Sequence, residues 1–211
     1  MKGRLFILRH GETVFNAAGR IQGDAPHTPL SRAGFAQAEE MGEKLRAELG
    51  RMPPLALWSS PAGRALQTLA VIAEHLELDW HGARIDDRLA EMTMGDWGGF
   101  YYRDLFAEHG PFVDAASGLF TRPAPGGEWY DAVAARLASW VEEQREADGD
   151  RLVVMHGMSS RVLRGLLTGQ AAREGLGCPV ADGLPQGSVV VIEGGAERVL
   201  HRAAARNAAP A

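Results

Sequence analysis

Four consecutive apolar residues, Leu5-Phe6-Ile7-Leu8, run straight into Arg9-His10-Gly11, and this junction constrains the fold more than any other stretch. A short apolar run bounded by a turn signal reads as a core β-strand. In open α/β sheets, ligands sit just beyond the carboxyl ends of such strands. Arg9 and His10 therefore stand where a ligand would bind. Gly11 lets the backbone approach a ligand closely and take conformations that a β-carbon forbids. Arg9 supplies a planar fork suited to phosphate or carboxylate. The junction points to oxyanion chemistry at a histidine.

The same pattern recurs along the chain. Strand-like runs follow at Leu55–Trp58, Leu152–Met155 and Ser188–Ile192, separated by stretches with helical spacing. A helix from near Ser31 places Ala33, Ala36, Met41, Leu45 and Leu49 on one stripe, and Gly50, Pro53 and Pro54 end it. Ser60 and Pro61 suit the N-cap and first position of a second helix, through Ala65, Leu69, Ile72 and Leu76, with Arg64 in its first turn. Asp131–Ala147 reads as a third helix, and Met158–Leu167, ended by Gly169, as a fourth. The expected fold is α/β, a three-layer sandwich with a mostly parallel central sheet flanked by helices, plus a cap insertion. The insertion spans about residues 86–127, where glycines and prolines interrupt every periodicity while Trp97, Phe100, Tyr101, Tyr102, Phe106 and Phe112 crowd in. The plainer reading of those aromatics is a hydrophobic cluster beneath a long excursion. Residues 1–205 form one expected domain and residues 206–211 a frayed tail.

Composition narrows the functions this fold can serve. A formal net charge of −5 argues against nucleic-acid or anionic-membrane partners, because both reward a basic surface. Any anion site is therefore local. The single cysteine, Cys178, excludes an internal disulfide and thiolate metal clusters, and no run approaches the length of a membrane span. The stretch before Glu12 is too short for a signal peptide, so the expected location is cytoplasmic. Exposed cap aromatics could serve a homodimer interface as readily as a substrate.

Three strand ends carry polar groups followed by a helix start: Arg9-His10-Gly11, Ser59-Ser60-Pro61 leading to Arg64, and Met155-His156-Gly157. If those strands are parallel neighbours, two histidines and two arginines meet at one edge. Helix N-termini add amide donors and partial positive charge to the same spot. Such a cluster needs an anion to neutralise it, and a phosphoryl dianion is its natural guest.

Leu8-Arg9-His10-Gly11-Glu12-Thr13, then Asn16 and Gly19-Arg20-Ile21-Gln22-Gly23, resembles the signature of the histidine phosphatase superfamily, the phosphoglycerate mutase-like enzymes. The remaining motifs follow in the family's order: Pro29-Leu30-Ser31, Ser59-Ser60-Pro61 with Arg64, Glu91 before Gly95-Asp96-Trp97, Pro125-Gly126-Gly127-Glu128, and His156-Gly157. The resemblance spans residues 5–195. It implies hydrolysis of a small phosphomonoester, with His10 as nucleophile and Glu91 as general acid. Arg9, Arg64 and His156 would hold the phosphoryl oxygens, and Asn16, Gln22, Gly11 and Gly157 would complete substrate binding. No metal and no cofactor is implied.

Several positions depart from the family pattern. Gly98-Gly99 follows Trp97 where Glu-Gly is usual, Phe15 stands for a tryptophan, Trp129 for a serine and Met158 for a glycine. The last two reshape the substrate side of the pocket. A cofactor-dependent mutase must bind a second acidic group, yet Met92-Thr93-Met94 follows Glu91, and Arg103 and Arg122 are the only basic side chains from 92 to 125. That favours a phosphatase with an apolar or sugar-like leaving group over the mutase. A catalytically silent phospholigand sensor is the alternative from the binding class. Gly157-Met158-Ser159-Ser160-Arg161 only approximates a serine-hydrolase elbow, and the seven histidines contain no His-Glu-x-x-His pair for zinc.

Overall fold

The computed structural model describes residues 2–204, so the tail expected at 206–211 lies outside the described residues. The strands are β1 (Leu5–Arg9), β2 (Leu55–Ser59), β3 (Arg84–Ile85), β4 (Asp150–Met155), β5 (Val189–Glu193) and β6 (Ala196–His201). They form one sheet in the order β3-β2-β4-β1-β5-β6. The β3, β2, β4 and β1 neighbours pair in parallel, while β5 and β6 close one edge antiparallel. The helices are α1 (Val14–Ala18), α2 (Arg32–Leu49), α3 (Gly63–Leu76), α4 (Tyr102–His109), α5 (Tyr130–Glu143) and α6 (Gly157–Leu167).

Strand periodicity sends alternate side chains of β1 to opposite cores. Phe6 and Leu8 join Leu57, Leu152 and Val154 beneath Met41 and Leu45 of α2 and Leu69 and Ile72 of α3. Leu5 and Ile7 join Trp58, Val153 and Met155 against α5, α6 and the cap. The result is the expected three-layer sandwich. The cap is no loose cover: Trp97 lies 4.4 Å and Phe106 4.6 Å from the ring of fully buried Phe112. These rings belong to the same core as α5 and the sheet. The plainer reading thus describes Trp97 and Phe112, which are core, and Phe106, which packs against them.

Several boundaries differ from expectation, each for a local reason. The buried stripe of α2 runs through Gly34, Ala38, Met41, Gly42 and Leu45, so Ala36 faces solvent. Gly34 is buried because backbone crosses it: a β-carbon there would meet Glu12 O at 2.0 Å, and one on Gly11 would meet Gly34 O at 2.3 Å. The close approach that Gly11 permits is therefore to α2 rather than to a ligand. α3 begins at Gly63 with Ala62 at its N-cap, and Ser60 is left free for the site. α5 ends at Glu143, four residues early. Beyond it, Arg151 captures the carbonyls of Gln144 and Ala147. β3 and α1 are too short to show a period. β6 follows a hairpin at Gly194-Gly195, both at positive φ, the residue pair that tight hairpins favour.

Candidate active site

Register alone brings the two histidines together. Arg9 of β1 pairs with Met155 of β4, so His10 and His156 each stand one residue past the ladder, with ring centres 5.2 Å apart. His10 N–H donates to Met155 O at 3.0 Å, and Ser60 N–H donates to Val154 O at 3.1 Å, which extends the sheet by one rung.

The tautomer of His10 follows from its partner. Nδ1 lies 2.7 Å from Gly11 O, and a carbonyl only accepts, so Nδ1 carries the proton and Nε2 keeps its lone pair. Burial, reinforced by the Arg64 and Arg9 charges, holds this imidazole well below the ordinary histidine pKa. It is neutral at pH 7. His156 is shifted the same way by burial and then by Arg64. Its Nδ1 accepts from Arg64 Nε at 3.2 Å, which leaves Nε2–H to donate to Ser60 Oγ at 2.6 Å.

Two guanidinium groups sit beside these rings. Arg64 is fully buried and donates to the carbonyls of Ala25 and Gly23 and to Thr28 Oγ1 as well as to His156. Burial brings its pKa down to about 10. Arg9 donates to Leu184 O, but its buried Nε–H has no partner. An unmatched buried donor of this kind costs about 1–3 kcal/mol. Both cations are lowered first by desolvation, and Glu91 is the carboxylate that pulls each the other way.

Glu91 is not a solvated loop carboxylate. Its Oε1 accepts from the N–H groups of Met92 and Ser159, both at 2.9 Å, and Oε2 accepts from Met158 N–H at 3.0 Å. The amides of Met158 and Ser159 in the first turn of α6, expected to face the ligand, are thus spent on this carboxylate. Arg136 of α5 braces the same loop by donating to Ala90 O and by pairing with Glu128, whose Oε2 accepts from Thr93 N–H.

A cleft with about 720 Å³ of empty space, open to solvent, is lined by Arg9, His10, Asn16, Gln22, Glu91 and Gly157. Arg64 and His156, both fully buried, lie outside its lining, as does Gly11, whose N–H donates to Thr68 Oγ1. Thr13 caps α1, and Asn16 completes the capping box through Oδ1, which accepts from Thr13 N–H and Gln22 Nε2–H, so its amide N–H groups are the ones left to face a ligand. The sequence of residues 5–204 matches the profile described as "Histidine phosphatase superfamily (branch 1)".

The chain belongs to the histidine phosphatase superfamily. Among its relatives, this superfamily member is 33% identical over 174 residues to the adenosylcobalamin/alpha-ribazole phosphatase of Salmonella typhimurium, covering 80% of this chain and 82% of that one. It is 37% identical over 141 residues to the glucosyl-3-phosphoglycerate phosphatase of Mycobacterium tuberculosis, covering 66% of this chain and 59% of the relative. The structure of a mycobacterial glucosyl-3-phosphoglycerate phosphatase in complex with VO3 superimposes with a TM-score of 0.76 at 27% identity, over 93% of this chain and 96% of that one.

For this superfamily member, sequence reasoning missed Ser60 as the partner of His156, since it took the residue for a helix cap. It also gave no role to Arg20 and Gln186, which line the cleft together with Met92 and Met94, the apolar residues noted after Glu91. Of the aromatics at 97, 100, 101, 102 and 129, only Tyr102 lines it. Phe100 is 56% exposed, and Trp129 Nε1 donates to Gly175 O. Neither Arg103 nor Arg122 reaches the cleft: Arg103 pairs with Asp104, and Arg122 donates to His109 O. No histidine bonds Ser159, whose Oγ is buried without a partner, so the elbow-like stretch has no base. Among the described residues, no cluster of three or more His, Cys, Asp or Glu side chains could hold a metal ion, and no helix is long and apolar enough to cross a membrane.

Proposed function

We propose that the chain is a phosphomonoester hydrolase that acts on a small phosphorylated metabolite through a phosphohistidine at His10 and needs no metal. The observation that carries this reading is the neutral His10 imidazole with Nδ1 committed to Gly11 O and Nε2 unprotonated, set beside the unpaired Nε–H of Arg9. Nε2 attacks phosphorus, forming the N–P bond as the P–O bond to the leaving alcohol breaks. Glu91 in its acid form delivers a proton to the departing oxygen. Its Oε2, with a single amide donor, is the oxygen free to carry that proton. Water then attacks phosphorus, the N–P bond breaks, and Glu91 takes the water's proton. Arg9, Arg64 and His156 stabilise the charge that gathers on the equatorial oxygens. The phosphatase names of the relatives support the same reaction class. A mutase reading has less support, because the cap arginines stay outside the cleft.

The test is hydrolysis of p-nitrophenyl phosphate in excess EDTA. Wild-type activity is expected to survive chelation and to vanish in His10→Ala. Glu91→Gln is expected to slow alkyl phosphates by about 10²–10⁴-fold and p-nitrophenyl phosphate far less, since its phenolate departs without a proton. No wild-type activity, or equal activity in His10→Ala, overturns the proposal.

A further inference from the structure

Glu91 has to meet a leaving oxygen at one point in the cleft, yet residues 90–94 around it belong to no helix or strand. Its carboxylate is held from one side by the α6 amides. Its backbone is held from the other side by one side chain of α5. Arg136 Nη1 donates to Arg88 O at 2.6 Å and to Ala90 O at 2.9 Å, carbonyls just before the acid. Its Nε and Nη2 donate to the two carboxylate oxygens of Glu128, at 2.9 and 3.1 Å. Glu128 in turn holds the flank after the acid: Oε2 accepts from Thr93 N–H at 3.1 Å, and Glu128 N–H donates to Thr93 O at 3.0 Å. Beyond Thr93 the two backbones run in contact, so that a β-carbon on Gly127 would crowd Thr93 O and one on Gly95 would overlap Pro125 O. Arg136 thus commits four of the five N–H groups of its fork to this loop and its brace. Neither Arg136 nor Glu128 lines the cleft.

We propose that Arg136, through its pair with Glu128, is a positioning residue for the general acid: it fixes the chain on both sides of Glu91 so that the carboxyl meets the departing oxygen. This role rests on the phosphatase reading above and on the part Glu91 plays in it. A planar fork suits the task, because it makes two parallel bonds to a carboxylate while its outer edge reaches two carbonyls, a span that the compact ammonium of lysine does not cover. Arg88 shows the contrast. Its side chain pairs with Asp86 and Glu143 and ties the turn before the loop to α5, but it does not reach the far side of Glu91. A misplacement of about 1 Å at a reacting group can cost about 10²-fold. Because Glu91 acts at the leaving oxygen, a displaced loop penalises each ester according to how much its leaving group needs a proton. General loosening of the fold lowers every ester alike.

The experiment compares benzyl phosphate, whose alkoxide needs a proton to depart, with p-nitrophenyl phosphate, which is of similar size and does not. The readout is the benzyl-to-p-nitrophenyl ratio of kcat/KM, which ends at formation of the phosphohistidine and so excludes the later attack of water. It is measured in wild type, Arg136→Met, Arg136→Lys, Glu91→Gln and the double variant Arg136→Met with Glu91→Gln. Because both esters are measured on one sample, the ratio cancels any loss of folded protein. The wild-type ratio is expected to exceed that of Arg136→Met about tenfold or more, with Arg136→Lys between them. Once Glu91→Gln is present, Arg136→Met is expected to lower the ratio no further, since the two act at one point. Glu128→Gln is scored the same way if Arg136→Met does not fold. Equal ratios in wild type and Arg136→Met overturn the inference while leaving the phosphatase reading standing. So does a drop of the same size with and without the Glu91 carboxyl, because Arg136 would then act elsewhere. A wild type inactive on every ester removes the phosphatase reading, and this inference falls with it.

Discussion

His10 and His156 are held neutral by burial among arginines, and that has a thermodynamic consequence at the scale of single residues. An unfolded histidine titrates near pH 6.5, whereas both folded imidazoles are displaced well below it. Above about pH 6.5 neither state binds the proton, so the linkage contributes nothing against folding. As pH falls below it, the unfolded chain takes up protons that the folded chain refuses, and stability is lost at up to about 1.4 kcal/mol per pH unit per histidine. Urea unfolding followed from neutral pH into this acid window is expected to show that slope. His156→Gln is expected to fall less steeply, and an identical slope in both proteins would contradict the assignment. The positions of Arg9 and His10 in the cleft were legible in the sequence because a strand end announces them, and those of Glu91, Asn16 and Gln22 because the family resemblance implied them. Ser60 and Arg20 were not, since their partners, His156 and Tyr101, lie 96 and 81 positions away in the chain.

Elements meet in this protein through backbone contact as much as through side chains. The loop after β1 crosses α2 at Gly11 and Gly34 so closely that either β-carbon would overlap a carbonyl oxygen. The same loop is tied down by Gln37 Oε1, which accepts from Glu12 N–H at 2.7 Å, and by Ser31 Oγ, which donates to Glu12 Oε1. Gly34→Ala is therefore expected to force the loop and α2 apart, at a cost of about 1–3 kcal/mol or more. Its unfolding midpoint in urea should drop, and phosphatase activity should fall with it because His10 begins that loop. A variant as stable and active as wild type would show that the crossing is soft. Helical spacing located α2, α3, α5 and α6, but it put Ala36 on the wrong side of α2, because the buried stripe follows the backbone crossing at Gly34.

At the scale of the whole molecule, the cap and the sheet share one hydrophobic core, in which Phe112 joins the cap rings to residues of α5 and the central strands. Phe112→Ala is expected to cost about 3–5 kcal/mol, and loss of tryptophan fluorescence and of far-ultraviolet circular dichroism should remain coincident in the variant, as one cooperative core requires. Separate transitions would instead make the cap an independent unit. The sequence by itself determined the α/β class, the strands that end in Arg9-His10 and His156, and the residue types, histidine beside arginine, that stand at those ends. These are local signals, set by apolar periodicity and by residue type at strand ends. The tertiary structure alone decided three things: that Glu91 takes the α6 amides of Met158 and Ser159, that Trp97 and Phe112 of the cap are core, and that Arg20 reaches the cleft on the ring of Tyr101. Each depends on which distant segments pack together, and neither periodicity nor spacing along a chain encodes that directly.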